Sequence, residues 1–593
     1  MSAGTVSGSA PLRFLVELSR DPGHAGDRLL VARHDGCAAV TLGDGAVTVI
    51  GLGSGRIAPE LLAAAGRGAN SVADVAKQGA QGAGLVIVDH GAGCCRVVMP
   101  RIGIATVYWQ ATADRLSIAS TPAALPCVST GSAQLDLRAL YDYVYFHMLP
   151  APSSVYQGVA KLCGGHCLAW RNGSTTVERY WQPRFGSAPP GPEAAAAAEL
   201  RELLEAAVRR ALGDASSAGA FLSGGLDSST VAGYAAQARH GIPTVSMGFD
   251  AAGYDEMEYA RIASRHFRTT PLEYYVTPED VLNTLPDVAA SFPEPFGNSS
   301  AAAVYHCARI AREHGMTLLL AGDGGDELFG GNERYAKQLV FERYGAVPRV
   351  LRDFALEPAI GAAARVTRAF PIGKALSYIE QARIPLPDRL QHYNFLHRHA
   401  PADVFTPAVL DLVDTGAPLR RLRAEYANPE ADSPVDRMLF MDWKFTLHDN
   451  DLVKVNTMCS LAGVEVAYPM LDPALVDFSM RLPPRWKVRD GELRWFYKRA
   501  MRGFLPDEIL SKTKHGFGLP FGVWMRTHEG LLGLARDSLE SLAGRGYFRP
   551  EFLREALRLH REGHASFYGE LVWILTVLEL WLQRNVPTRQ SRS

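Results

Sequence analysis

Little in this chain is in excess. Basic and acidic residues nearly cancel, 61 Lys+Arg against 62 Asp+Glu, leaving a formal net charge of −1. No global field draws it to nucleic acid or to an anionic membrane, and neither is expected as a partner. Long hydrophobic runs are also missing. The most apolar late stretch, LVWILTVLELWL at 571–582, is too short for a bilayer and carries Glu579, so a buried helix is expected there. The opening MSAGTVSGSAPLRF has no basic segment followed by an apolar one, which argues against export. Cysteine is sparse, eight scattered through 593 residues, and reduced thiols in a cytoplasm are the expectation. What is present is the composition of a soluble globular protein, 47% hydrophobic and 21% charged, at a length that implies two or more domains.

Residues 12–120 hold short apolar runs separated by turn residues: RFLVEL, RLLVAR, AVTVIG, GLVIVD, RVVMP, ATVYWQ and RLSIAS. That spacing predicts an antiparallel sandwich with some helix. A helix is expected near 136–147, and a hairpin around Asn172-Gly173 within CLAWRNGSTTVERYW. GSAPPGP (186–192) then reads as a linker, dividing the chain into domains at 1–185 and 193–590. Beyond it the rhythm changes. A 193–212 helix carries Leu200, Leu203, Leu204, Ala207, Val208 and Leu212 on one face. Strands GAFL, TVSMGF, LEYYV and MTLLLAG alternate with helices, which predicts a parallel sheet covered on both faces. Residues 335–593 read as mostly helical.

The first strand of this second part runs into FLSGGLDSST (221–230). A Gly-rich turn between a strand and a helix N-terminus suits phosphate, because backbone N–H groups approach the anion and the helix end adds partial positive charge. No Gly-Lys-Ser/Thr follows, so this is not a Walker loop. Asp227 would repel a bare phosphate and makes sense with a Mg²⁺ between them. A second strand ends in LLLAGDGGDELFGG (318–331), again Gly-rich, with Asp323, Asp326 and Glu327. In a parallel sheet both loops lie at the carboxyl edge, where ligands bind.

SGGLDSS resembles the pyrophosphate loop of the N-type ATP pyrophosphatases, and its pairing with GDGGDELFGG resembles the asparagine synthetase family. The likeness continues through FPEPFGNSS (292–300), LVKVNTMCSLAGVEVAYPMLD (452–472) and KTKHGFGLPFGVW (512–524). VYQGVAKLCGGHCLAW resembles the end of that family's first domain. The resemblance implies an α/β protein with an Ntn-hydrolase-like sandwich followed by an ATP-pyrophosphatase domain with a helical extension. It implies adenylation of a carboxylate by ATP and capture of the acyl group by an amine, with ATP and Mg²⁺ as cofactors. Leu222, Ser223, Gly224, Gly225, Asp227 and Ser228 would hold pyrophosphate. Asp227 and Asp326 would hold the metal, and Ser246, Met247 and Gly322 would contact adenosine and AMP, largely through backbone. Lys514 would stabilise charge, with Lys512 two residues away as its rival in the alignment. Asp323 would orient the amine or take its proton.

The sequence also departs from the family. Ser2 stands where glutamine-using members carry a nucleophilic cysteine, and the glutamine-pocket signatures Arg-Gly and Asn-Gly-Glu are missing. The first domain is therefore expected to be an inactive scaffold. Asn456 and Thr457 replace a usual Asp-Arg, and Ala467 a usual Arg, altering charge near the acyl group. The cysteine-less relatives include β-lactam synthetases and lasso-peptide macrolactam cyclases. The latter fit best, which implies a precursor peptide as substrate and its leader peptidase as partner. The alternatives are an asparagine synthetase using free ammonia and a catalytically inactive scaffold relative. Three motifs are set aside. VIGLGSGRIAPELL (49–62) has a misplaced third glycine for a dinucleotide site. CGGHC (163–167) has no second Cys/His pair for zinc. HDND (448–451) reads as a polar helix-to-loop stretch.

Overall fold

The computed structural model describes residues 14–20, 27–34, 39–42, 47–52, 59–65, 67–77, 84–186, 191–251, 253–345, 347–366, 370–512, 518–563 and 565–586. The short apolar runs of the first part pair as antiparallel strands in two sheets. One has the order Asp27–His34, Phe14–Arg20, Arg115–Ala119, Tyr108–Ala111, Ala160–Lys161. The other runs Ser174–Arg179, His166–Arg171, Cys94–Val98, Gly84–Asp89, Val47–Leu52, Ala39–Leu42. Strand Gly84–Asp89 shows why its sequence does not alternate with polar residues. Val86 and Val88 pack between the sheets, whereas Leu85 and Ile87 pack under the helices Pro59–Ala65 and Ala69–Lys77. Both faces are covered, so both must be apolar. The Asn172-Gly173 turn has positive φ at both residues (54° and 77°), the backbone that closes a two-residue hairpin.

The second part is a five-stranded parallel sheet in the order Thr270–Val276, Pro243–Phe249, Ala218–Phe221, Leu318–Leu320, Glu465–Ala467. The helices Glu193–Leu212, Leu226–Ala238, Met257–Phe267 and Ala301–Glu313 fall where the sequence rhythm placed them. The first strand in sequence lies in the middle. The next two add on one side and the last two on the other, so the direction of winding switches between Ala218–Phe221 and Leu318–Leu320. Open α/β sheets bind ligands outside the carboxyl ends of strands at such a point.

Most residues from Glu333 onward are helical, and the closing helix Ala565–Asn585 is buried along most of its length, Glu579 included. Glu579 is paired with Arg545 at 2.5 Å. Among the described residues no helix is long and apolar enough to cross a membrane, and no disulfide joins the described cysteines.

One apolar core runs from Ile102 to Leu582 and takes in the helix Leu137–Phe146. A buried ion pair locks the two parts together across it. Lys161 Nζ lies 2.5 Å from Glu294 Oε2, and both side chains are 7% exposed. Glu294 also accepts from the Val155 amide at 2.7 Å and from the Tyr108 hydroxyl at 3.3 Å. Removing one partner of a buried pair leaves an uncompensated charge and costs about 3–5 kcal/mol. Lys161→Met is expected to lower the midpoint of calorimetric unfolding sharply, and Lys161→Met/Glu294→Gln to recover much of the loss. A double variant no more stable than the single one would contradict this account.

Candidate active site

The two Gly/Asp loops leave adjacent strands at the switch point. Strand Ala218–Phe221 is prolonged by one bond, Leu222 N–H to Val245 O at 2.9 Å. Ser223–Gly225 then turns into the helix Leu226–Ala238. Gly224 sits at φ +69°, and a Cβ there would lie 2.5 Å from the backbone of Tyr259 and Ala260, so only glycine lets the turn pack on the neighbouring helix. Ser228 Oγ accepts from the Ser223 amide at 3.2 Å and lies 3.0 Å from Ser223 Oγ, tying the helix's first turn to the loop it follows. The second loop crosses the first closely: a Cβ on Gly325 would be 2.0 Å from Asp227 Oδ1.

Asp227 and Asp326 therefore meet, across a residue that sequence reasoning missed. Arg494 forks onto Asp227, Nη1 to Oδ1 at 2.5 Å and Nη2 to Oδ2 at 2.6 Å, and Nη2 also donates to Asp326 Oδ1. Its side chain is 5% exposed. Its backbone is left-handed (φ 55°, ψ 34°) between the hairpin Val488–Leu493 and the short helix Trp495–Ala500. The only signal in the sequence was indirect: two carboxylates set into a loop crossing need a cation nearby, but nothing in GELRWFYKR marks which one.

These loops floor a cavity of about 600 Å³. Leu222, Ser223, Gly225, Asp227, Ser228, Met247, Gly322, Asp323 and Asp326 all line it. Gly224 shapes the loop from behind. Ser246 is buried and donates its hydroxyl to Leu222 O at 2.7 Å, so it braces the loop and does not face the cavity. Lys514 and His515 lie outside the described residues. Lys512 does line the cavity: its Nζ is 3.1 Å from Glu256 Oε2 and 3.4 Å from Gly224 O, over the ring of Tyr259. Burial holds its pKa below the usual lysine range, against the pull of Glu256.

A second polar group faces the cavity beside Asp323. Lys454 Nζ donates to Asp451 Oδ1 at 2.7 Å. Burial works against charge on Lys454, but Asp451 and then Asp323 outweigh it and raise its pKa. Burial pushes the Asp323 carboxyl up to about 6; Lys454 opposes the rise, and Asp451 and Asp227 add to it. A carboxylate at that value can take a proton near neutral pH. Asp451 and Lys454 owe their position to a nine-residue π-helix, Trp443–Asp451, that runs on into Leu452–Ala462. The HDND stretch is thus continuous helix, a correction to the helix-to-loop expectation. His448 reaches into the first part, its Nδ1 2.6 Å from Gly103 O.

Asn456, expected near the acyl group, instead donates Nδ2 to Ile104 O at 2.6 Å and accepts from the Tyr468 hydroxyl at 2.9 Å. Ala467 ends the edge strand, where its carbonyl receives Ala321 N–H at 2.9 Å. Cys163 approaches Lys444, Cys167 is buried in its strand, and Val47–Leu52 is flanked by antiparallel partners, not a βαβ unit. Among the described residues no three His, Cys, Asp or Glu side chains form a metal cage. Asp227 and Asp326 remain as a pair, a donor set that suits a cation sharing its oxygens with a phosphate.

Comparison with known proteins agrees with this geometry. The family model described as asparagine synthase matches residues 199–583, spanning both loops and the cavity. A glutamine amidotransferase domain model matches 76–181. Asparagine synthetase [glutamine-hydrolyzing] 1 of Bacillus subtilis is 24% identical over 494 residues, 82% of this chain and 75% of that protein. A putative asparagine synthetase [glutamine-hydrolyzing] of Mycobacterium tuberculosis is 26% identical over 460 residues, 76% and 67% of the two chains. The carboxyethyl-arginine beta-lactam-synthase of Streptomyces clavuligerus is 36% identical over 115 residues, 19% and 22%. With its model matched over well more than half of the length, the chain belongs to the asparagine synthase family.

Proposed function

We propose that this protein is an ATP-dependent, AMP-forming amide ligase that closes a peptide macrolactam of the lasso type. It would activate an Asp or Glu side chain of a short precursor peptide and join it to the peptide's N-terminal amine after a leader peptidase exposes it. Family membership implies ATP-dependent amide ligation. The observation that carries the reading is the crossing of two Gly/Asp loops at the switch point, with Asp323 raised to about 6 on the same cavity floor. The closed ring is supported by a stretch similar to a lactam-forming relative and by the loss of the family's glutamine signatures. An amine already on the substrate replaces a bimolecular encounter with an oriented intramolecular step.

The steps follow from this chain's residues. The substrate carboxylate attacks the α-phosphate of ATP, pyrophosphate leaves, and an acyl-adenylate remains. The Gly225 backbone, the start of helix Leu226–Ala238, and the Ser223 and Ser228 hydroxyls would receive the leaving pyrophosphate. Asp227 and Asp326 fit a Mg²⁺, which when bound neutralises the leaving group's charge. Met247 and Gly322 would border the nucleotide. The amine then attacks the acyl carbon; Asp323 takes its proton, the C–N bond forms and AMP departs. Lys514 would steady the negative charge on the reacting groups. The N-terminal sandwich would serve as a scaffold without glutaminase activity, bracing the helices behind the cavity.

The direct test incubates the protein with Mg²⁺·ATP, the peptide encoded beside its gene and the leader peptidase. AMP and pyrophosphate should appear in equal amounts, and the core peptide should lose one water. ADP and phosphate would sink the mechanism; an unchanged peptide alongside asparagine made from aspartate and ammonia would transfer the assignment to a free-ammonia asparagine synthetase.

Rate against pH tests Asp323. Its pKa is raised, so its base form is lost as pH falls through about 6, and turnover should fall off below that point. Asp323→Asn should slow amide formation by roughly 10²–10⁴ and abolish that acid limb. An unchanged limb in the variant assigns it elsewhere.

Two lysines compete for the charge-stabilising role. Lys514→Ala is expected to cost roughly 10²–10³ in turnover with little change in ATP binding. Lys512→Ala, which removes the brace behind Gly224, should instead weaken ATP binding. The opposite pattern would move the role to Lys512.

A further inference from the structure

We propose that Arg494 is a resident counter-cation that keeps free metal off the two loops, so that the metal enters only in company with an anion. The inference rests on the reading above that Asp227 and Asp326 are the metal carboxylates.

The geometry is one of occupancy. Both oxygens of Asp227 face the Arg494 fork, at 2.5 and 2.6 Å, and Oδ1 of Asp326 receives the same Nη2. The guanidinium is nearly sealed from water, and Gly331 leaves it no slack: a Cβ there would lie 2.2 Å from its Nε. A divalent ion needs the same carboxylate oxygens at a little over 2 Å. Each oxygen keeps a second lone pair, but a divalent ion bound there would lie at close range to the seated guanidinium, and the two positive charges repel in a poorly hydrated site. Metal binding therefore favours displacement of the fork.

Charge decides when. Asp227 and Asp326 carry two negative charges and Arg494 one positive charge. Displacing the guanidinium without giving it a new partner strands a buried cation, which is costly. An anion entering with the metal supplies that partner. Lys498, on the same short helix, and the hairpin residues Gly491, Glu492 and Leu493 also line the cavity, so this wall lies where an incoming polyanion would meet it. The left-handed backbone of Arg494 is a conformation non-glycine residues adopt when their surroundings fix it. The paired carboxylates supply that fixing before any ligand arrives. Arg494 thus holds the loops assembled in the absence of metal and sets the condition for its entry.

The test is metal binding to the full-length protein with no substrate present, read by the electron paramagnetic resonance of Mn²⁺. It does not depend on whether a macrolactam is made. Arg494→Met should bind Mn²⁺ alone at least about tenfold more tightly than the wild type, since a charge-assisted fork no longer competes. Arg494→Met/Asp326→Asn should lose that gain. Arg494→Lys keeps the charge but not the fork and should fall between. If Arg494→Met does not fold, by circular dichroism, the lysine variant decides. Equal or weaker Mn²⁺ affinity in the folded variants, or a gain that survives Asp326→Asn, overturns the proposal. Failure of amide formation with tighter Mn²⁺ binding intact would instead overturn the functional reading and leave Arg494's role standing.

Discussion

The parallel pairing of two short strands, Ala218–Phe221 and Leu318–Leu320, is the constraint on which the rest depends. Their register, Ala218 with Leu318 and Ala220 with Leu320, brings both chains to the sheet's carboxyl edge at nearly the same level. A slip of one residue would reverse the faces of the side chains and shift one loop by about 3.3 Å. That exceeds the tolerance of the crossing between Gly325 and Asp227, and a single guanidinium could no longer span the two carboxylates. Burial of all three leucines on the second strand keeps the register from drifting. The site is thus a consequence of sheet winding before it is a set of side chains.

That part was legible in the sequence because it is written locally. Strand and helix periods, the change of rhythm after GSAPPGP and the two glycine-rich loops each occupy a few consecutive residues. They gave the parallel sheet and the antiparallel first part, while the family resemblance carried by the motifs pointed to nine of the cavity-lining positions. What was not legible came from elements far apart in sequence. Arg494 is separated from Asp227 by 267 positions, and only the folded chain brings them within hydrogen-bond reach. The π-helix that delivers Asp451 and Lys454 has no clear local signature, and the polar letters HDND suggested a helix-to-loop stretch. The helix instead continues, with His448 and Asp449 buried and His448 bonded to Gly103 of the first part. Ser246 does not line the cavity, and its hydroxyl is spent on the loop's backbone.

One departure from the family pattern, Asn456, finds a use shared with two neighbours on its helical stretch. Asn456 and His448 bond to backbone carbonyls of Ile104 and Gly103, and Lys444 bonds to the carbonyl of Ala151. All three lie on one helical stretch behind the cavity and reach into the first part of the chain. With the Lys161–Glu294 pair they make the sandwich a wall of the second part's core. Buried polar contacts of this kind add little net stability but punish misalignment heavily, because each unsatisfied group keeps its desolvation cost. They fix the angle at which Leu452–Ala462 carries Lys454 to the cavity. These contacts give the first part of the chain a structural role in the second.

Electrostatics ties these features together. Around the cavity each described lysine or arginine already has a carboxylate: Arg494 has Asp227 and Asp326, Lys454 has Asp451, Lys512 has Glu256, and Lys498 has Glu492. Asp323 adds further negative charge above pH 6 or so. A floor in which acids outnumber their paired bases does not attract a bare polyphosphate, despite the helix N-terminus aimed at it. The fold offers the shape for an anion and withholds the net charge for one. Under the proposed function the missing charge would come with the ligand, and a divalent cation carried on phosphate oxygens would supply it while satisfying both aspartates. The acidic floor, the guanidinium clamp and the glycine cradle are then parts of one device, each of which would be poorly suited to its place without the other two.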